Sequence, residues 1–337
     1  MSLSYQILGG PGTDNALFVT LDTGHSQVRL LFDCGQGCLD SLRFGDILDI
    51  DYVFFSHLHM DHVSGFDSFF RVNADRTQKP NVIFGPPRTS EILHHRFQGY
   101  LWNLVEGAPA QWWVCDVEPH EMQKTRFDLG DAFATKHPEP PQKTDGIVLQ
   151  EKQFTIKACT RDHHAPCLAY IVRETPTTNV STEQLQSLGL RPGPWLQRVK
   201  SPSDEGGMID IDGRTLEISK LRELLLVEQP GQSIAYLTDF LLDDDAMNEL
   251  EQELQGVDTI ICESQYHPDD HELATRHFHM TSVQAATLAQ RVDPKEFILF
   301  HLSHRYTPAI WKEMLTRAQD VYPGAKYPDH WWDELNV

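Results

Sequence analysis

Three histidines and an aspartate fall within six consecutive positions of FFSHLHMDHVSG, residues 54–65: His57, His59, Asp61 and His62. Imidazole nitrogen and carboxylate oxygen are the donor set of zinc, and at lower affinity of manganese or iron. His57 and His59 lie two apart, so on an extended chain they project to one side. Asp61 and His62 follow where the chain turns toward a helix, and each pair can be directed at a different metal. Four side chains do not complete two coordination shells. The other candidate donors stand at the ends of apolar runs: His163 or His164 after FTIKACTRD, Asp239 after SIAYLT and His301 after EFILF.

Those runs are the elements that must position the donors. VRLLFDCG, DYVFFSH, NVIFGP, FTIKACTRDH, CLAYIV, SIAYLTD, DTIICE and EFILFH have strand length and β-branched or aromatic content. Near-continuous apolar strands predict sheets covered on both faces. Helices are predicted over 89–105, over 243–254 with acids at its start, and over 281–292, where Thr281 and Gln284 have capping-box spacing. Another is predicted over 308–319, with Pro308 in its first turn. Segment 175–232 breaks the pattern with Pro, Gly, Ser and Thr, and reads as an inserted arm or loop in which IDGRT turns between two short strands.

Composition narrows the class. With 337 residues the chain can bury a large core without disulfides. The six cysteines form no CxxC pair and read as reduced, partly buried thiols. The first residues resemble no signal peptide, and no stretch reaches the roughly 20 apolar residues that span a bilayer. A cytoplasmic protein without a membrane segment is expected. A formal net charge of −21 disfavours nonspecific binding to nucleic acid, so a polyanionic substrate would need metals and a few placed cations. Within 184–203 Arg191, Arg198 and Lys200 occur with no acid, whereas Asp204, Glu205, Asp210 and Asp212 follow.

HLHMDH is the metal motif of the metallo-β-lactamase superfamily. Together with LLFDCGQG, HHAPCLAY, AYLTDF, HFHMTSVQAA and FILFHLSHRY, in that order, it resembles ribonuclease Z, the family that matures the 3′ ends of transfer RNA precursors. The resemblance runs from Leu8 to Tyr306 and includes LGLRPGP, similar at Gly193 and Pro194 to the Gly-Pro motif of that family's tRNA-gripping arm. It implies an α/β fold, the metallo-β-lactamase αββα sandwich, as one domain over 1–337 with a protruding arm at 175–232. It implies two divalent ions, zinc before manganese or iron: one on His57, His59, His163 and a bridging Asp239, the other on Asp61, His62, Asp239 and His301. His163 is preferred to His164 because the family has His, two residues, then Pro, and Pro166 fits.

The same resemblance makes Asp33 a structural support for the histidine loop. It makes His279 the residue beside the scissile phosphate and Glu263 the acid that sets its state. Asp61 would orient the attacking water and take its proton, giving a 3′-hydroxyl and a 5′-phosphate. Thr281, His304 and Arg305 are candidate substrate contacts, as are Gly193, Pro194, Arg191, Arg198 and Lys200 on the arm. A homodimer acting on precursor tRNA is implied. The chain departs from the family pattern at Met280, where serine is usual, at Phe240 after the bridging aspartate, and at EQPGQS, which lacks the expected basic residues. Two other readings fit the same residues: a hydrolase of small phosphodiesters, esters or lactones, and a noncatalytic RNA-binding protein with a vestigial site.

Overall fold

Residues 2–22, 24, 26–201 and 207–335 are described by the computed structural model. Asp204 and Glu205 of the arm lie outside them. Strands Ser2–Leu8, Ala16–Asp22 and Gln27–Phe32 form an antiparallel meander. Tyr52–Phe54, Asn81–Gly85 and Gln111–Val117 then add to it in parallel, and Glu121–Asp128 closes antiparallel. The second sheet runs Ile147–Gln150, Phe154–Asp162, Pro166–Glu174, Ser233–Leu237, Thr259–Glu263, Glu296–Phe300 and Ala325–Lys326, and its last four strands are parallel.

Aromatic side chains join the sheets face to face. Phe32 and Phe54 of the first sheet meet Tyr170 of the second at 5.5 and 5.3 Å between ring centroids. One apolar cluster spans both inner faces and continues into helices Ser282–Val292 and Pro308–Val321 behind the second sheet. Another, around Phe66, Phe70, Phe97 and Trp112, fills the outer side of the first sheet beneath Phe66–Asn73 and Thr89–Phe97. Both sheets are therefore covered on two sides, as apolar strands require, and Trp112 and Trp331 are core residues.

The helix predicted over 89–105 stops at Phe97. The Trp102 indole N–H donates to the Phe97 carbonyl at 2.7 Å, taking the acceptor that a further turn would have used. The other termini follow local chemistry. Asp243 caps Asp244–Glu253, Thr281 and Gln284 form a reciprocal capping box, and Pro308 opens its helix.

Glu174–Gly231 is a separate compact unit. It packs Leu185, Val199, Ile209, Ile218, Leu221 and Leu225 into a core of its own. The expected hairpin pairs Met208–Ile211 with Arg214–Glu217, turning at Asp212 and Gly213.

Candidate metal centre

The motif leaves the sheet through the short strand Tyr52–Phe54 and turns at once into Met60–Val63. Phe54 and Phe55 are fully buried. Burial anchors the start of the loop, and the His59-to-Met60 helix start reverses the chain so that all four donors face one space. In the second sheet the register sets Leu237 beside Cys262 and Cys262 beside Leu299. Glu263, the last residue of its strand, and Asp239 and His301, just beyond theirs, consequently gather at one edge, at the carboxyl ends of parallel strands.

His57, His59 and His163 present nitrogens within 4.8 Å of one another, as do the ligand atoms of Asp61, His62, Asp239 and His301. Asp239 lies between the groups. Its Oδ2 is 3.7 Å from His57 Nε2, 3.3 Å from His62 Nε2 and 3.9 Å from His163 Nε2, while Oδ1 is 3.1 Å from His301 Nε2. Asp61, 43% exposed at the rim, is 3.4 Å from His62 Nε2 and 3.9 Å from His301 Nε2.

Outer hydrogen bonds select which nitrogen of each ring is available. Asp33 accepts from the Ser56 amide at 2.7 Å, the Ser56 hydroxyl at 2.7 Å, His62 Nδ1 at 2.8 Å and the Tyr236 hydroxyl at 2.9 Å. With its proton on Asp33, the Ser56 hydroxyl is left to accept from His57 Nδ1 at 3.1 Å. His163 Nδ1 donates to the Phe278 carbonyl at 2.7 Å. Each ring is therefore held through Nδ1 and turns its Nε2 inward, as metal-ligating histidines do.

Those inward nitrogens test whether a cation fits. His57 Nε2 and His62 Nε2 are buried and have no hydrogen-bond partner. Such groups are costly unless something at the site answers them. Charge is also unbalanced. Burial and His62 push His57 well below the usual imidazole range. Burial works against a charge on His62, yet Asp239 and Asp33 on either side raise it well above that range. Burial would raise Asp239, but His301, His62 and His279 hold it far below the ordinary carboxylate value. A cation held by these donors would replace the competing protons, so the residues fit metal binding. The Gln265 amide, 3.0 Å from His301 Nε2, would have to yield that nitrogen.

His279 stands beside the cluster. It too can be grouped with His163 and Asp239 as a donor. However, its Nδ1 is 3.0 Å from Glu263 Oε2 and 4.0 Å from Asp239, so Glu263 already uses that nitrogen. Burial lowers its proton affinity, but Glu263 and Asp239 overcome this and push it up to about 9. The other oxygen of Glu263 accepts the Phe240 amide at 3.2 Å. At position 240 this contact comes from the backbone, and the Phe240 side chain is core. Met280 is likewise fully buried, with its sulfur 3.6 Å from Cys262 Sγ.

The remaining sequence candidates separate. His164 joins none of the donor groups among the described residues, and its ring lies against that of Phe278, tilted by 36°. Arg305 is exposed, with its guanidinium 5.0 Å from the Tyr266 ring centre, and that ring is 5.6 Å from His279. His304 is exposed next in the chain. Thr281 is a correction: it is 1% exposed and its hydroxyl accepts the Gln284 amide, so it caps a helix and presents nothing to substrate. On the arm unit Arg191, Arg198 and Lys200 are exposed, and Gly193 and Pro194 lead into helix Trp195–Lys200. Sequence reasoning missed Ser56, Tyr236, Gln265, Tyr266 and the Phe278 carbonyl. Ser56 alone carried a local signal, as the hydroxyl directly before the motif.

Two face-to-face mixed sheets with a histidine–carboxylate cluster at one edge define a hydrolase of the metallo-β-lactamase fold. Residues 224–302 match the beta-lactamase superfamily domain, and residues 13–176 match the model described as anti-Pycsar protein Apyc1. The fold is similar to that of YhfI from Bacillus subtilis (TM-score 0.57, 17% identity, 97% of this chain and 95% of that one). It is also similar to the short form of human tRNase Z (TM-score 0.51, 18% identity, 90% and 94%). A ribonuclease Z from Deinococcus radiodurans is 43% identical over 329 residues, covering 98% of each chain. Another, from Anoxybacillus flavithermus, is 24% identical over 298 residues, covering 87% and 82%. The chain belongs to the ribonuclease Z family.

Proposed function

We propose that the protein is a dinuclear metal-dependent endonuclease that cleaves RNA phosphodiester bonds, with 3′-extended transfer RNA precursors as its substrate. The observation that carries this reading is the pairing of two donor groups around Asp239 with an adjacent Glu263–His279 pair. His57, His59, His163 and Asp239 would hold one ion; Asp61, His62, Asp239 and His301 the other. Zinc suits the nitrogen-rich set best. When bound, such ions supply Lewis acidity, polarising phosphoryl oxygens and acidifying water.

The chain's own groups do the rest. Asp61, half open to solvent at the rim, orients the water and accepts its proton. Glu263 fixes His279 with Nδ1 inward, which leaves Nε2 for the substrate. Paired with Glu263, which favours its charged form, His279 donates a proton to the leaving oxygen, a role worth about 10²–10⁴-fold. Arg305, braced on Tyr266, offers a forked donor to a neighbouring phosphate. Arg191, Arg198 and Lys200 supply cations for the RNA backbone, against the net charge of −21.

Among the described residues no helix is long and apolar enough to cross a membrane. We place the protein in the cytoplasm on the strength of its six buried, unpaired cysteines, and expect a homodimer, which light scattering would test. The activity test compares a 3′-extended tRNA precursor, bis-p-nitrophenyl phosphate and an aryl ester on one metal-analysed preparation. Precursor cleavage leaving a 3′-hydroxyl is expected. Metal-loaded protein that cuts only the small substrates would replace this reading with that of a small-molecule hydrolase, and fewer than about one ion per chain would point to a vestigial site.

A further inference from the structure

We propose that the ring pair His164–Phe278 receives a nucleobase flanking the cleaved bond, an inference that rests on the nuclease reading above. The two residues lie on different loops, yet their ring centres are 3.7 Å apart at 36°. Both have left-handed backbone, φ 58° and 57°. For a bulky residue such as phenylalanine that conformation is a true outlier, and strain of this kind concentrates at functional sites.

Each half of the pair adjoins a working residue. His164 follows His163, and Phe278 precedes His279. The Phe278 carbonyl also holds His163 Nδ1, so the strained turn that aims this carbonyl is the one that carries the ring. Phe278 is half-buried and His164 is exposed, which makes Phe278 the floor and His164 the open upper surface.

The surroundings decide the occupant. His164, Ala165, Pro166 and Leu241 border a cleft of about 490 Å³ whose other walls include Asp162 and Asp243. The cation in that wall, Arg161, is bound to Glu249 at 2.5 Å. Carboxylates without an available cation repel a phosphate backbone, whereas a neutral heterocycle can stack on the imidazole and turn its N–H edges toward them. Sequence-tolerant stacking of this kind is the ordinary way in which single-stranded nucleotides are gripped.

The test replaces His164 by Asn, which tolerates left-handed backbone and removes the ring, and by Trp, which restores a stacking face. Substrates are a 3′-extended precursor and versions with an abasic ribose immediately 5′ or 3′ of the cleaved bond. In the wild type, one abasic substitution should raise KM about tenfold. His164→Asn should abolish that difference by raising KM for the intact substrate, with kcat on bis-p-nitrophenyl phosphate and metal content unchanged; His164→Trp should restore it. A His164→Asn protein that keeps the full preference at both positions overturns the subsite. So does one that loses metal and small-substrate turnover together, since the stack would then only tie two loops. Wild-type protein that holds its metals and cuts no RNA overturns the nuclease reading, and the subsite with it.

Discussion

Replacing Asp33 by Asn tests whether the histidine tautomers are set from outside the cluster. Asparagine keeps the volume and tolerates the left-handed φ of 58°, so the turn after Gln27–Phe32 should persist. It offers one acceptor oxygen where the carboxylate offered two. The hydroxyls of Ser56 and Tyr236 can rotate to other partners, but the Ser56 amide on Oδ1 and His62 Nδ1 on Oδ2 cannot both face that oxygen. One fixed, buried donor is left facing an amide NH2, at a cost of about 1–3 kcal/mol. That is a large part of the 5–15 kcal/mol typical of a domain. If the NH2 faces His62, the ring moves its proton to Nε2 and loses the inward lone pair. Affinity in the group of Asp61, His62, Asp239 and His301 should fall about 10–100-fold, while His57, His59 and His163 keep theirs. Metal titration by calorimetry should then show one tight and one weakened ion per chain, and urea unfolding a lower midpoint at unchanged slope. Two ions bound as tightly as in the wild type would refute the tautomer argument, even if stability fell.

Three further outcomes are expected. Asp61→Ala should reduce kcat to background, while the unfolding free energy compared between the metal-free proteins stays within about 0.5 kcal/mol of wild type, because the side chain sits at the open rim; a large loss of stability in that metal-free comparison would give it a structural role instead. His279→Ala should lower kcat about 10²–10⁴-fold with full metal content, and Glu263→Gln should follow it in direction with a smaller effect; loss of metal from either variant, read by elemental analysis, would make His279 a ligand. Chelation should lower thermal stability, since ligand at a thousandfold excess over Kd contributes about 4 kcal/mol and its removal leaves His57 and His62 facing Asp239 without a counterion; an unchanged melting temperature, with metal loss verified, would show that the cluster does not depend on cations.

How much was legible in the sequence depended on the range of the interaction. The Thr281–Gln284 box, the Pro308 start and the strand ends at Asp33, Asp239 and His301 were readable because each follows from residues a few positions apart. The same cues failed at Phe97, where Trp102 ended a helix that the local pattern would have continued. Thr281, a candidate substrate contact by resemblance, is instead engaged in capping its helix, a role its capping-box spacing with Gln284 already carried.

The spacing of His57, His59, Asp61 and His62 was enough by itself to point to a metal-type cluster, since one tight turn brings those donors together in any fold that permits it. Which distant groups join them was decided by tertiary structure. Asp239 and His301 meet the cluster through strand register, and His163 through a carbonyl 115 residues further along the chain. Tautomer, charge and exposure followed from the same packing. Low dielectric surroundings and fixed neighbours determine these properties, and both exist only once the two sheets have closed on each other.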